Sequence, residues 1–159
     1  MNPNSPLSGS SEGALAGLRV IDLTGVVLGP YATQILGDYG ADVIKIEPPG
    51  GDIMRHAGPM KHEGMGHIFI NANRNKRSVV LDLRQDAQRA QLLALCKTAD
   101  VLTYNIRPAS MARLGLSFDT LHAINPQLVV CGAYGYSEGG PYSDWPAYDD
   151  LIQGAAGVP

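Results

Sequence analysis

The stretch LRVIDLTGVVLGPYATQILGDYGADVIKIE (residues 18–47) decides the fold. LRVIDL (18–23) is a short apolar run of strand length, and TGVVLG after it is a loop. Pro30 stands where a helix would begin, with its fixed φ suited to a first turn. The helical segment YATQILGDYG closes near Gly40, and DVIKIE (42–47) is a second strand that EPPGGD stops sharply. Two strands joined through a helix form a βαβ unit, so they run parallel with a right-handed crossover.

Working outward, SVVLDL (78–83) reads as a third strand. A helix from Asp86 to Thr98 follows, with Leu92, Leu95, Cys96 and Ala99 at the spacing of one buried face. DVLTY (100–104) is strand four. Short helices at 108–114 and 117–124 lead to strand five, QLVVCG (127–132), and a long loop runs from Ala133 to Tyr148. The fold class is α/β, a mainly parallel, Rossmann-like sheet with flanking helices, without internal repeat. Residues 15–159 form one domain. The opening MNPNSPLSGSSEGA (1–14) is polar and rich in Ser and Pro, which predicts a disordered tail, not a signal peptide.

Composition narrows the partners. The net charge of -3 argues against a general nucleic-acid binder. The charge is unevenly placed: residues 55–113 hold ten of the twelve Lys and Arg against four acids, whereas the chain after Arg113 has no Lys or Arg and five acids. A cationic zone in an acidic chain suits a small polyanion better than a long one. No run of 18 apolar residues is present, so no membrane span is expected. Cys96 and Cys131 sit in apolar contexts (LLALC, LVVC) and are expected to be small core residues. With no disulfide framework and no metal-type spacing to the four His, the chain reads as cytoplasmic and metal-free.

In parallel α/β sheets ligands bind outside the carboxyl ends of the strands. That rule selects Thr24–Gly29, Pro48–Asp52, Arg84, Asn105–Arg107 and the 133–148 loop, with Arg113 near the same rim. The conspicuous cations of NANRNKRSVVLDLR (71–84), namely Arg74, Lys76 and Arg77, fall at the opposite end of strand three. Eight residues of strand from Lys76 to Arg84 span ~26 Å at ~3.3 Å each, so both ends cannot grip one phosphate. Arg84 is therefore the better phosphate candidate. The first βα turn, TGVVLGP, lacks the G-x-G-x-x-G spacing of a dinucleotide site, and no GxxxxGK[ST] is present.

The chain resembles the N-terminal part of the family III CoA-transferases, which include formyl-CoA transferase, carnitine CoA-transferase and α-methylacyl-CoA racemase. The resemblance rests on LAGLRVIDLTGVVLGPYATQILGDYGADVIKIEPPGGD, NRNKRSVVLDLR, ADVLTYNIRPASMARLGL, INPQLVV and PAYDDLIQGAAG, in family order and near-family spacing. It implies coenzyme A or acyl-CoA as substrate, a carboxylic acid as acceptor, no covalent cofactor, and an interlocked homodimer at full family length. It also implies CoA contacts at Val27, Leu28, Leu81, Asp82, Leu83, Arg84, Asn105, Ile106, Arg107, Arg113 and Tyr148. Guanidinium groups suit the 3′-phosphate and pyrophosphate of CoA through charge-assisted bonds, with Arg84 and Arg113 the candidates. The cluster at Arg74, Lys76 and Arg77 is expected to be structural or near a subunit contact.

Two positions bear on the branch. The racemases have a histidine acid/base where this chain has Tyr148. A phenol, titrating near pH ~10, is a poor proton shuttle at neutral pH, which favours transfer. Val27 stands where formyl-CoA transferases have a glutamine, a departure from the oxalate/formate pattern. The family's nucleophilic Asp, which forms an aspartyl-CoA anhydride, is expected beyond Pro159, so no catalytic residue is expected within the chain. Asp149 and Asp150 precede that position. The 159-residue chain is thus expected to be a fragment that is inert alone and binds CoA no tighter than about millimolar.

Overall fold

The computed structural model describes residues 13–158. The tail expected over residues 1–14 therefore lies outside the described residues as far as position 12. Five strands form one parallel sheet: β1 (Arg19–Leu23), β2 (Asp42–Glu47), β3 (Lys76–Val80), β4 (Val101–Tyr104) and β5 (Val129–Gly132). Their order is β3-β2-β1-β4-β5. The chain builds outward from β1 on one side, then crosses back to build on the other. Strand order thus reverses between β1 and β4.

The helices are α1 (Leu28–Asp38), α2 (His67–Ala72), α3 (Asp86–Cys96), α4 (Pro108–Arg113), α5 (Phe118–Ile124) and α6 (Asp149–Ala156), with a 3-10 turn at Ile53–His56. Helix α1 stops where the sequence predicts, because Gly40 takes φ 97°, a left-handed conformation that glycine adopts without penalty. Pro108 opens α4 and Ser117 caps α5 by accepting from Thr120 N.

The two faces of the sheet differ in chemistry. One carries the apolar core, where Ile21, Ile44, Ile46 and Leu102 meet Leu92, Cys96, Met111, Leu116 and Leu121. Alternation along the strands sends Asp22, Lys45 and Glu47 to the other face, and all three are buried. Lys76 and Ser78 of β3 join them through Lys76–Asp22 and Ser78–Glu47 bonds, and Thr33 of α1 donates to Asp22. A layer of paired charges therefore lies on the face that α1 covers.

Three expectations need correction. Strand three is Lys76–Val80, two residues earlier than 78–83 at its start and three at its end. Lys76 and Arg77 pair with Val43 and Ile44 inside the ladder, and the chain turns away at Leu81. Cys131 is exposed, because β5 is an edge strand whose side chains are mostly uncovered. Leu95 is only partly buried, while Leu92, Cys96 and Ala99 are in the core as the helical spacing predicts. The Ile53–His56 turn and helices α2 and α6 were not anticipated.

Candidate functional site

A cleft of about 720 Å³ opens at the carboxyl ends of β1 to β4. Its wall is built from Leu23–Val26, Lys45–Ile53, Leu81–Arg84, Asn105, Ile106 and Leu114. This is the rim that the strand-end rule selects. Of the residues implied by family resemblance, Leu81, Asp82, Leu83, Arg84, Asn105 and Ile106 line the cleft. Val27, Leu28, Arg107, Arg113 and Tyr148 do not line it. Val27 and Leu28 are exposed at the start of α1, Arg107 and Arg113 are exposed at the two ends of α4, and Tyr148 is exposed ahead of α6.

Arg84 is 80% exposed and reaches back to Asp82, with Nε 2.8 Å from Oδ1 and Nη2 3.0 Å from Oδ2. Asp82 Oδ1 also accepts from Arg84 N, which makes a tight turn and aims the guanidinium over the cleft. The Arg84 side chain and backbone N–H hold the Asp82 carboxyl at about 2, well below the usual carboxylate range. The pair is solvent-screened, so an incoming phosphate can compete for the guanidinium. Arg113 donates to Ser110 Oγ.

The opening cations have found acids instead. Arg74 pairs with Asp38 and Arg77 with Asp42, both at the surface, and Lys76 pairs with Asp22 in the interior. The structural expectation for this cluster holds.

The floor of the cleft is polar and cross-linked by hydrogen bonds. Lys45 Nζ donates to Thr24 O at 2.7 Å and lies 3.0 Å from Asp52 Oδ2, with both side chains buried. That second contact is an ion pair without a directional hydrogen bond, since Asp52 Oδ2 has no such partner. Asp52 Oδ1 accepts from Met54 N, and Asp52 N donates to Glu47 Oε2. Asn105 clasps Gly25 twice, accepting from its N–H at 3.0 Å and donating to its C=O at 2.9 Å. Val26, next in the strap, holds φ 71°, a strained conformation for a β-branched residue. Sequence reasoning missed Lys45 as a cleft residue, because an alternating strand hides a buried cation among positions that normally face water.

Chemically, the carboxylates of the cleft are committed. Glu47 is held by Arg55, Asp52 by Lys45 and Asp82 by Arg84. Glu47 and Asp52 are buried in their pairs, whereas the Asp82–Arg84 pair is the solvent-exposed one of the three. Among the described residues, no group of three or more His, Cys, Asp or Glu side chains could hold a metal ion, and no helix is long and apolar enough to cross a membrane.

Comparison with known proteins gives the chain its relatives. The profile of CoA-transferase family III matches residues 15–159. The acetyl-CoA:oxalate CoA-transferase of Acetobacter aceti is 44% identical over 92% of this chain and 38% of its own length. The succinate–glutarate CoA-transferase of Agrobacterium fabrum is 41% identical over 90% of the chain and 38% of its length. Among solved structures, a CAIB/BAIF family protein from Brucella suis superposes with TM-score 0.88 at 39% identity, covering 92% of this chain and 40% of that one. A hypothetical protein from Mycobacterium tuberculosis gives 0.85 at 39% identity with the same coverage. The chain therefore spans between a third and two fifths of the length of the relatives it matches. With a profile match across the whole folded region and a cleft at the strand ends, the chain belongs to CoA-transferase family III.

Proposed function

We propose that the protein carrying this chain moves coenzyme A from an acyl thioester to a carboxylic acid, and that this chain supplies the surface that holds CoA. The observation that carries the reading is the cleft at the strand-order reversal with a displaceable guanidinium, Arg84, on its rim. The Val27–Leu28 loop, Arg107, Arg113 and Tyr148 complete that surface from outside the cleft wall. The carboxylate nucleophile is an Asp outside this chain, a reading supported by the buried pairing of Glu47 with Arg55 and of Asp52 with Lys45. Asp149 and Asp150 stand in the exposed first turn of α6 and do not line the cleft. The names of the relatives support dicarboxylic acids as acceptors, and we propose that the full-length protein acts as an interlocked homodimer in the cytoplasm, as the family resemblance implies.

Two experiments test this. A protein of full family length containing this sequence, given an acyl-CoA and candidate dicarboxylates, is expected to form a new thioester only when the acid is present. Deuterium uptake at C2 of the acyl group without any acid would instead establish racemisation. The 159-residue chain alone is expected to show no turnover and no CoA affinity tighter than about millimolar by calorimetry. Contacts on an open rim contribute about 0–1 kcal/mol each, against the ~8 kcal/mol that micromolar affinity requires. Turnover by the chain alone that is lost on Asp149→Ala or Asp150→Ala would place the nucleophile there instead.

A further inference from the structure

We propose that Asn105 is a positioning residue, whose carboxamide extends the β1–β4 ladder by one side-chain rung and so fixes the strained Val26 wall of the cleft. The last backbone pair between these strands is Leu23 with Tyr104. One residue beyond Tyr104 and two beyond Leu23, the Asn105 side chain takes up both the N–H and the C=O of Gly25, at 3.0 and 2.9 Å. A carboxamide offers the same donor and acceptor as a peptide group, so it substitutes for the next residue of a strand. The rung lies at the point where strand order reverses, and it ties the β1-β2-β3 half of the sheet to the β4-β5 half above the ligand cleft.

The strap has other restraints, but they come from the near half. Asp22 accepts from Thr24 N, Lys45 donates to Thr24 O, and Asp52 accepts from Val26 N at a long 3.4 Å. Asn105 alone among these reaches it from the far side of the reversal. A β-branched residue at positive φ persists only where its surroundings hold it there. The pair of hydrogen bonds on Gly25, just before Val26, is that hold. Asn105 thus acts on a ligand through Gly25 and Val26, since one N–H and one lone pair of its amide are taken up by Gly25. Its consequence for CoA rests on the proposed function; the clamp itself does not.

The test separates the two. Amide hydrogen exchange at Gly25 is compared with that at Ile21 and Leu102 in the 159-residue chain, and coenzyme A is titrated into a protein of full family length that contains this sequence. Wild-type Gly25 is expected to be protected, and an unprotected Gly25 would overturn the clamp outright. Asn105→Asp keeps the acceptor for Gly25 N–H but loses the donor and sets a carboxylate against Gly25 C=O. It is expected to speed Gly25 exchange at least tenfold, leave Ile21 and Leu102 protected, and weaken CoA binding at least fivefold. Unchanged Gly25 exchange would overturn the clamp, and faster exchange with unchanged CoA affinity would overturn the positioning role. No response of wild type to CoA would overturn the CoA reading and the positioning role with it, while the exchange data still decide the clamp. If Asn105→Asp fails to fold, Asn105→Gln, with both groups one methylene farther out, is measured in the same two ways. The same changes in exchange and affinity are then expected, and the same absences of change would overturn the clamp or the positioning role.

Discussion

Replacing Lys76 with methionine is expected to lower the stability of the domain by about 3–5 kcal/mol. The Lys76 ammonium is almost wholly buried and bonds three acceptors: Asp22 Oδ2 at 2.9 Å, Pro30 O at 2.7 Å and Asn73 Oδ1 at 2.9 Å. Burial pulls its pKa below the ordinary lysine value, against the opposing pull of Asp22. Methionine preserves most of the volume and none of the charge. It leaves the Asp22 carboxylate, itself 0% exposed, with only neutral donors from Thr24 and Thr33. An uncompensated buried charge is far more costly than the pair is stabilising. The double variant Lys76→Met/Asp22→Asn should therefore recover much of the loss. Urea unfolding measures both, with the midpoint moving and the slope m unchanged. A loss under about 1 kcal/mol for Lys76→Met would mean that water reaches the site, since exposed pairs contribute no more than that. Against a total of ~5–15 kcal/mol for a typical domain, the single variant should be close to unfolding.

Acid should expose a second buried carboxylate. Burial alone would raise the pKa of Glu47, but the Arg55 guanidinium, Ser78 Oγ and Asp52 N–H outweigh it and hold the group at about 2, against 4.5 for a free glutamate. Arg55 meets both carboxylate oxygens at 2.6 Å, and its own pKa is raised in return, chiefly by the bond to Glu47. A carboxylate with a depressed folded pKa contributes stability that is complete above its unfolded pKa and lost as pH falls through the folded one. The window here runs from about 4.5 down to about 2. The contribution at stake is on the order of 3 kcal/mol. Glu47→Gln should flatten the pH dependence across that window without abolishing it, because Asp38, Asp42 and Asp82 are also depressed. Denaturant midpoints taken every half pH unit supply the slope. A variant that loses stability as steeply as wild type would show that Glu47 is not the dominant acid-sensitive group.

The elements that the sequence exposes are those set by local rules. The βαβ unit at 18–47 follows from a periodicity change, a proline and a glycine, and the structure has it, with α1 starting at Leu28, two residues ahead of the proline expected to open it. The rim of the cleft follows from strand direction alone. The ionic layer does not follow from local pattern. Val43, Lys45 and Glu47 alternate with Ile44 and Ile46, which is also the pattern of a strand wet on one face. Whether Lys45 and Glu47 meet water or a covering helix depends on partners such as Asp52, Arg55 and Ser78, and only the folded chain sets Lys76 beside Asp22, 54 residues earlier in sequence. The early start of β3 has the same origin: Lys76 and Arg77 look like loop cations until Asp22 and Asp42 neutralise them. Arg84 is legible as a cation at the strand ends that line the cleft, but its turn-closing bond to Asp82 depends on the chain leaving the ladder at Leu81.

The two cysteines make the chain a reporter of its own integrity. Cys131 lies open on the edge strand, whereas Cys96 is sealed in the core, where burial pushes its thiol up to about 11. Alkylation proceeds through the thiolate, so at neutral pH a maleimide or iodoacetamide probe should consume one equivalent quickly and then stall. Once that first site is blocked, the slow second equivalent counts openings of the α3 packing. Mass spectrometry of a timed alkylation then reads the lifetime of the closed core directly, with no denaturant and no introduced label site.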